Sequence, residues 1–360
     1  MRVIEYLLRL IFNVLQVLIG SLALVALLFF VIIYFNNPKI ALEFTNSCLS
    51  CKKPSIGVIG PQDANHDGRL TKDDWKILLT PTTSEPKVLP DPNPTEQQEI
   101  AIDRVNYYRS LVGLHSVSLN QTINSAAEAH AAYNVQNNSV RHDEDLTLEG
   151  FTGVWPWDRL KHFGYNKYTY VTEVCSMRWA SVNYLLRVDP AWAVDGWINT
   201  VYHRLPILSP LVYEAGFGSA KTESRLAYVM DFANPGLPTK KCIVYYPVNN
   251  QEDIPVKFDG DEIPDPLPGK RYPVGYPITV TFSDCKNIKI EDIKLLDNNG
   301  ENVDFYKLLP YSDRYINDSL AIIPVKPLEY GTVYTVAVRA YADGKMIDLT
   351  WQFKTASKTS

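Results

Sequence analysis

Hydrophobic positions along this chain change their period several times, and each change marks a different kind of element. From about Leu7 to Phe35 there is no period. Leu18 to Phe35 is almost wholly apolar, and the run extends back through Val17, Leu15, Val14, Phe12 and Ile11. As a helix it spans about 30 Å of hydrocarbon. Arg2 and Arg9 precede it, so the positive-inside rule places the N-terminus in the cytoplasm and the bulk of the chain outside. The expectation for residues 1–36 is a cytoplasmic start and a single transmembrane anchor. A cleaved signal peptide is the alternative, against which stand the length of the run and the lack of a small-x-small site close behind it.

Residues 95–236 alternate between helical and strand periods. Thr95 and Gln98 suit a capping box, and Ile102, Val105, Tyr108 and Leu111 keep helical spacing until Gly113. Asn120 is expected to cap a second helix carrying Ile123, Ala126, Ala127, His130 and Ala131. Asp189 and Pro190 open another helix, with Trp192, Val194, Trp197, Ile198 and Val201 on its apolar face. His203 and Arg204 stand at its end, before Pro206 and Pro210 force a loop. Val212–Ala220 and Arg225–Ala233 then read as consecutive strands. The pattern is α/β. Residues 271–360 are β-patterned throughout: Tyr334, Val336 and Val338 alternate with Thr335, Ala337 and Arg339, and DNNGE, PLEYG and ADGK mark turns. Proline-rich stretches at 80–94 and 237–270 read as linkers.

At 360 residues the length allows two or three domains. A net charge of −5 argues against a nucleic-acid partner. Beyond the anchor, residues 37–94 form a juxtamembrane segment holding Cys48 and Cys51. With the chain outside the cell this spacing reads as a local disulfide or a pair of thiols rather than a metal or redox site. Five cysteines in all leave at least one unpaired within the chain.

Residues 63–74, DANHDGRLTKDD, have the order of an EF-hand loop. Asp63, Asn65 and Asp67 offer oxygens, and Gly68 makes the sharp turn. Arg69 offers its carbonyl, Thr71 holds a water and Asp74 closes the loop. A hard cation takes six or more oxygens, which alternate residues of a tight loop supply, so calcium is the expected ligand. The other reading is an acidic surface turn. Asp at the twelfth position resembles a dockerin loop.

Three strings carry a further resemblance. VNYYRSLVGLHSVSLNQTINSAAEAHAAYN, RHDEDLTLEGFTGVWPWDRLKHFGY and GWINTVYHRLPILSPLVYEAGFG follow one another in the order of the bacterial form of the CAP domain (the SCP, antigen 5 and PR-1 family). They are similar to its first two helices, its histidine loop with a DRL-x-x-x-GY helix, and its HR-x-x-(I)L-x-P-x-(F/Y)-x-E-x-G-x-G pattern. The resemblance covers roughly residues 95–235 and implies an α-β-α sandwich. It also implies that His142, Glu173 in VTEVC, and His203 line one cleft. Two imidazoles and a carboxylate there suit zinc or another divalent ion, or form a hydrogen-bonded polar cluster. Asn199 stands where the family has a second acid, so the set is incomplete and acid/base chemistry is in doubt. His130 reads as a structural histidine, Glu214 as structural, and Asp158 and Arg159 as an ion-pairing couple. No G-x-S-x-G and no nucleophile with a partner is present. Within this framework Cys175 and Cys242 are the expected bridge.

The string PLEYGTVYTVAV with the later DGK and WQFKT resembles a bacterial Ig-like sandwich that serves as a spacer. The whole therefore reads as multidomain: a membrane anchor, a calcium-loop stalk, an α/β CAP domain and an all-β Ig-like sandwich. The function expected is non-enzymatic binding of a lipid, metal or cell-envelope ligand through the cleft. A metal-assisted envelope hydrolase and a structural adhesin are the alternatives.

Overall fold

A computed structural model describes residues 94–179, 187–313 and 315–358. The apolar run Leu7–Phe35, the pair Cys48 and Cys51, and the loop Asp63–Asp74 lie outside the described residues. Among the described residues no helix is long and apolar enough to cross a membrane.

Helix α1 spans Pro94–Leu111, with Glu96 in its first turn and Arg109 in its last, each suited to the dipole. Strand β1 (Ser118–Leu119) leads into α2 (Gln121–Asn137). As its residue type predicts, Asn120 caps α2, its side chain accepting from Thr122 and Ile123 N–H. Helix α3 (Pro156–His162), strand β2 (Tyr170–Trp179), helix α4 (Pro190–Ile198), the single turn α5 (Arg204–Ile207) and strands β3 (Glu214–Lys221) and β4 (Arg225–Asn234) follow. Asp189 caps α4 through Trp192 N–H, again as its residue type predicts. Trp192 itself is exposed, not core. Its ring lies 4.2 Å from the Arg178 guanidinium instead.

The strands form one sheet ordered β1-β3-β4-β2, with β1 parallel to β3 and the other pairs antiparallel. Its two faces are covered differently. Val174, Phe217, Tyr228 and Phe232 pack with Val105, Val194 and Trp197 of α1 and α4. Cys175, Met177, Ala227 and Val229 pack with Ala127 and Ala131 of α2. Three layers result, as expected for an α-β-α sandwich. The α2 side is unusually close. A Cβ on Gly216 would sit 2.2 Å from Asn124 N, and one on Gly218 would sit 2.2 Å from Glu128 N. The two glycines of the AGFG string therefore let helix backbone lie almost on strand backbone.

The C-terminal half holds two four-stranded sheets, β10-β13-β14-β6 and β11-β12-β9-β5. These comprise β5 (Cys242–Tyr246), β6 (Gln251–Ile254), β9 (Ile278–Ser283), β10 (Ile288–Leu296), β11 (Phe305–Leu308), β12 (Ser319–Pro324), β13 (Val333–Ala342) and β14 (Lys345–Thr355). Strands β7 (Lys257–Phe258) and β8 (Val274–Gly275) form a separate short pair. The sheets meet through one core, in which the rings of Tyr245 and Trp351 are 4.5 Å apart. Strand β13 buries Tyr334, Val336 and Val338 and leaves the intervening positions more open, as its alternation predicts. The stretch 237–270, read above as a linker, carries β5, β6 and β7. Strands β5 and β6 are sheet edges, where proline is tolerated, so proline here ends strands rather than marking an open tether.

Candidate functional site

The alternation of β2 decides which side chains meet. Neighbouring strand residues point to opposite faces, so Glu173 and Cys175 share the α2 side while Val174 joins the other core. Asp231 stands directly opposite Glu173 across the β2–β4 pair. Helix α2 contributes His130, α3 contributes Arg159, and the loop between them contributes His142 and Glu144.

Arg159 is the hub of this cluster. Its guanidinium pairs with Glu173 Oε2, lies 3.8 Å from Glu144 Oε1 and donates to the His142 carbonyl at 3.1 Å. Glu144 sits 2.8 Å from His130 Nδ1 and accepts the Thr152 N–H at 2.7 Å. His130 Nε2 lies 2.8 Å from the Arg141 carbonyl, so both ring nitrogens are engaged and this is a structural histidine, as expected. Buried charge is costly unless paired and hydrogen-bonded. Here the pairing ties α2, α3, the loop and β2 together.

His142 is the member open to solvent: its side chain is 47% exposed, against 1% for Glu173. Its Nδ1 lies 2.8 Å from Glu173 Oε1 and 3.9 Å from Cys175 Sγ. The sulfur, and after it Glu173, raises the His142 pKa against the effect of burial. Burial works to raise the Glu173 carboxyl, but Arg159, His130 and His142 together outweigh it and hold it below the usual range. Asp231 behaves oppositely: burial, then the charge of Glu173, pushes it well above the usual range. The two facing carboxyls are thus driven in opposite directions, and neither Asp231 oxygen has a hydrogen-bond partner among the described residues.

His203, expected in the same cleft, is elsewhere. Among the described residues the three candidate metal ligands within 4.8 Å of one another are His142, Glu173 and Cys175. Helix α4 ends at Ile198, and residues 199–204 turn into a seam with the C-terminal half. There the buried Glu262 carboxylate accepts the N–H groups of Val201, Tyr202 and His203 at 2.8, 2.6 and 2.9 Å and faces His203 Nδ1 at 2.9 Å. Asn199 accepts from the Tyr276 hydroxyl, and Tyr202 donates to Asp313 at 2.6 Å. The buried Arg204 donates to the Pro277 carbonyl at 2.7 Å, with the rings of Tyr246 and Tyr276 about it.

The bridge expected between Cys175 and Cys242 is also not formed. Cys175 is a buried thiol beside His142, whereas Cys242 opens β5 in the C-terminal half. Glu214 keeps its structural role, accepting from the Tyr165 hydroxyl. Arg159 pairs with Glu173 rather than with Asp158, which instead accepts the Trp155 N–H at 3.1 Å.

Cys175 joins the site although its sequence context suggests a bridge, and Glu144 and Asp231 join it unexpected from sequence. Signals for two of them were present: Cys175 stands two residues from Glu173 and so shares its face, and Asp231 interrupts an apolar strand.

The arrangement resembles known proteins over a limited span. The family model for CAP, the cysteine-rich secretory protein family, matches residues 102–232. No curated protein matches the chain. Similar solved structures include an outer surface protein of Borrelia burgdorferi, at 15% identity and TM-score 0.33, covering 42% of this chain and 98% of that one. Another is an extracellular protein containing a SCP domain from Bacillus anthracis, at 20% identity and TM-score 0.33, covering 46% of this chain and 45% of that one. Venom allergen-like protein 4 of Schistosoma mansoni shares 11% identity at TM-score 0.27, covering 41% of this chain and 96% of that one. Residues 102–232 of this chain form a CAP domain.

Proposed function

We propose that this is a membrane-anchored extracellular protein whose CAP domain binds a divalent metal without catalysing a reaction, the site being His142 Nδ1, Glu173 Oε1 and Cys175 Sγ. The observation that carries the reading is the convergence of one nitrogen, one oxygen and one sulfur within 4.8 Å, with only the imidazole exposed. Tetrahedral zinc with N, O and S ligands sets N–O and N–S separations of about 3.3 and 3.6 Å from its bond lengths. The 2.8 and 3.9 Å here need only small adjustments. The donor chemistry therefore fits. Glu173 already holds Arg159, which tempers its attraction for a cation.

Binding is favoured over hydrolysis because the acids are already engaged. Glu173 is committed to Arg159 and His142, Glu144 to His130, and burial pushes Asp231 well above the usual carboxyl range, so none of these three stands ready as a general base. Both Cys175 and Glu173 address the same imidazole nitrogen, which is unlike a nucleophile–base–acid relay. A ledge of exposed Leu146, Leu148, Phe151, Trp155 and Trp157 lies in the loop and helix start that carry Glu144. The two indoles stack at 5.6 Å. This ledge supports a larger ligand with an apolar face, such as a lipid or a cell-envelope polymer, laid across the metal site. The loop 63–74 is proposed to hold calcium and residues 271–360 to act as an Ig-like spacer.

Metal analysis of the purified full-length protein tests the reading. Bound zinc that is lost in the double variant His142→Ala, Cys175→Ser supports it. Metal content unchanged by that variant, or no metal taken up by the wild type, rejects it.

A further inference from the structure

We infer that Cys242 and Cys285 form a disulfide that staples β5, the first strand after the CAP domain, to the turn after β9. Three observations place the two residues together. Cys242 pairs in register with Ser283 across the β5–β9 ladder, where paired Cα atoms lie roughly 5 Å apart. After Ser283 the chain curls back. Asp284 takes φ 58°, the Cys285 N–H donates to the Phe282 carbonyl at 3.2 Å, and Cys285 Sγ lies 3.7 Å from the carbonyl oxygen of Ser283 itself. The sulfur thus sits over the residue facing Cys242. Finally, the neighbours of both cysteines share one carboxylate. Lys241 pairs with Asp343, which also accepts the N–H groups of Lys286 and Asn287 at 3.0 and 3.1 Å.

The chemistry suits a structural bridge rather than a reactive thiol. Both sulfurs are half-buried, and both are thiols here. Burial, and then the charge of Cys285, raises the Cys242 thiol; burial likewise raises that of Cys285. Neither is activated as a thiolate, so neither resembles a catalytic or sensor cysteine. Closure needs an oxidant, and a disulfide donor such as oxidised glutathione supplies it. One protein thiolate attacks the donor disulfide, giving a mixed disulfide and releasing one thiol. The second protein thiolate then displaces the other half of the donor. Net, the protein loses two protons and two electrons, and the donor becomes two thiols. The pairing also resolves the odd cysteine count, leaving Cys175 as the free sulfur for the cleft.

The test uses the full-length chain, equilibrated with oxidised glutathione, alkylated, digested with trypsin without reduction and read by mass spectrometry. The expected product is peptide 242–257 joined to peptide 272–286, lighter by two hydrogens than the sum of the two. Cys285→Ser should leave Cys242 open to alkylation. Cys242 joined to Cys175, or both peptides recovered alkylated and unlinked after equilibration, overturns the inference. Protein isolated directly from cells answers a separate question. A bridge that forms in vitro but is absent there upholds the pairing and counts against the extracellular location.

Discussion

Replacing Glu262 by alanine should loosen the seam between the two halves more than any other single truncation there. The carboxylate accepts three successive backbone N–H groups, from Val201, Tyr202 and His203, and faces the His203 ring. It is 1% exposed, so water does not take its place freely. A hydrogen bond to a charged group contributes about 1.5–3 kcal/mol, and an orphaned buried donor costs about 1–3 kcal/mol. Three donors lost together, allowing for non-additivity, give a loss of about 3–6 kcal/mol. Native proteins of this kind hold about 5–15 kcal/mol in total. Thermal unfolding should fall by about 10 °C, since each kcal/mol is worth roughly 2–4 °C at this size. Glu262→Gln keeps one acceptor but turns an NH2 toward a donor, so it should fall between the two. Differential scanning calorimetry of full-length protein, with limited proteolysis at residues 199–204, reads both. A Glu262→Ala protein within about 1 kcal/mol of wild type would refute the argument that this carboxylate holds the seam.

Four further outcomes follow from the site and the packing. Glu173→Gln should cost about 3–5 kcal/mol by leaving Arg159 without its buried partner, whereas Asp231→Asn should be close to neutral at pH 7 because burial already disfavours the charged form of Asp231 and its oxygens accept no hydrogen bond that the amide would lose; urea denaturation of both distinguishes the two carboxyls. Metal affinity should fall as pH falls, because a proton on His142 Nδ1 competes with the ion. Since the folded pKa of His142 is raised, affinity should keep rising above the ordinary histidine range near pH 6.5, and calorimetric titration at several pH values checks the sign. Gly218→Ala should destabilise by about 1–3 kcal/mol or more, since its methyl meets α2 backbone, not a movable side chain, and the unfolding midpoint reports it. Asp67→Ala should weaken calcium binding by residues 55–80, and calorimetry with no calcium signal from the wild-type segment would reduce that loop to a turn.

Much of the CAP fold was legible because its signals are local. Asn120 and Asp189 cap the helices they precede, and the alternation in β13 names its buried face. His142 and Glu173 were legible only through ordered motifs, since nothing local brings residues thirty positions apart together. His203 was misplaced for a related reason. Its fate depends on Glu262, whose acidic, proline-rich surroundings read as linker, and a carboxylate at such long range leaves no trace in the pattern around residue 203. Cys242 shows the same limit: cysteine count says that pairs exist, but strand register decides which.

The half-exposed ring of His142 over buried Glu173 has a kinetic consequence. The inner oxygen and sulfur are locked by Arg159 and by strand geometry, so an ion entering the proposed site would find them already arranged, with little ordering entropy opposing its capture. The moving part is one surface side chain, and exposed rotamers turn over in picoseconds to nanoseconds. Exchange at this site should therefore be set by how strongly the ion is held, not by a slow opening of the domain, and stopped-flow traces should show a single fast phase whose rate scales with metal concentration.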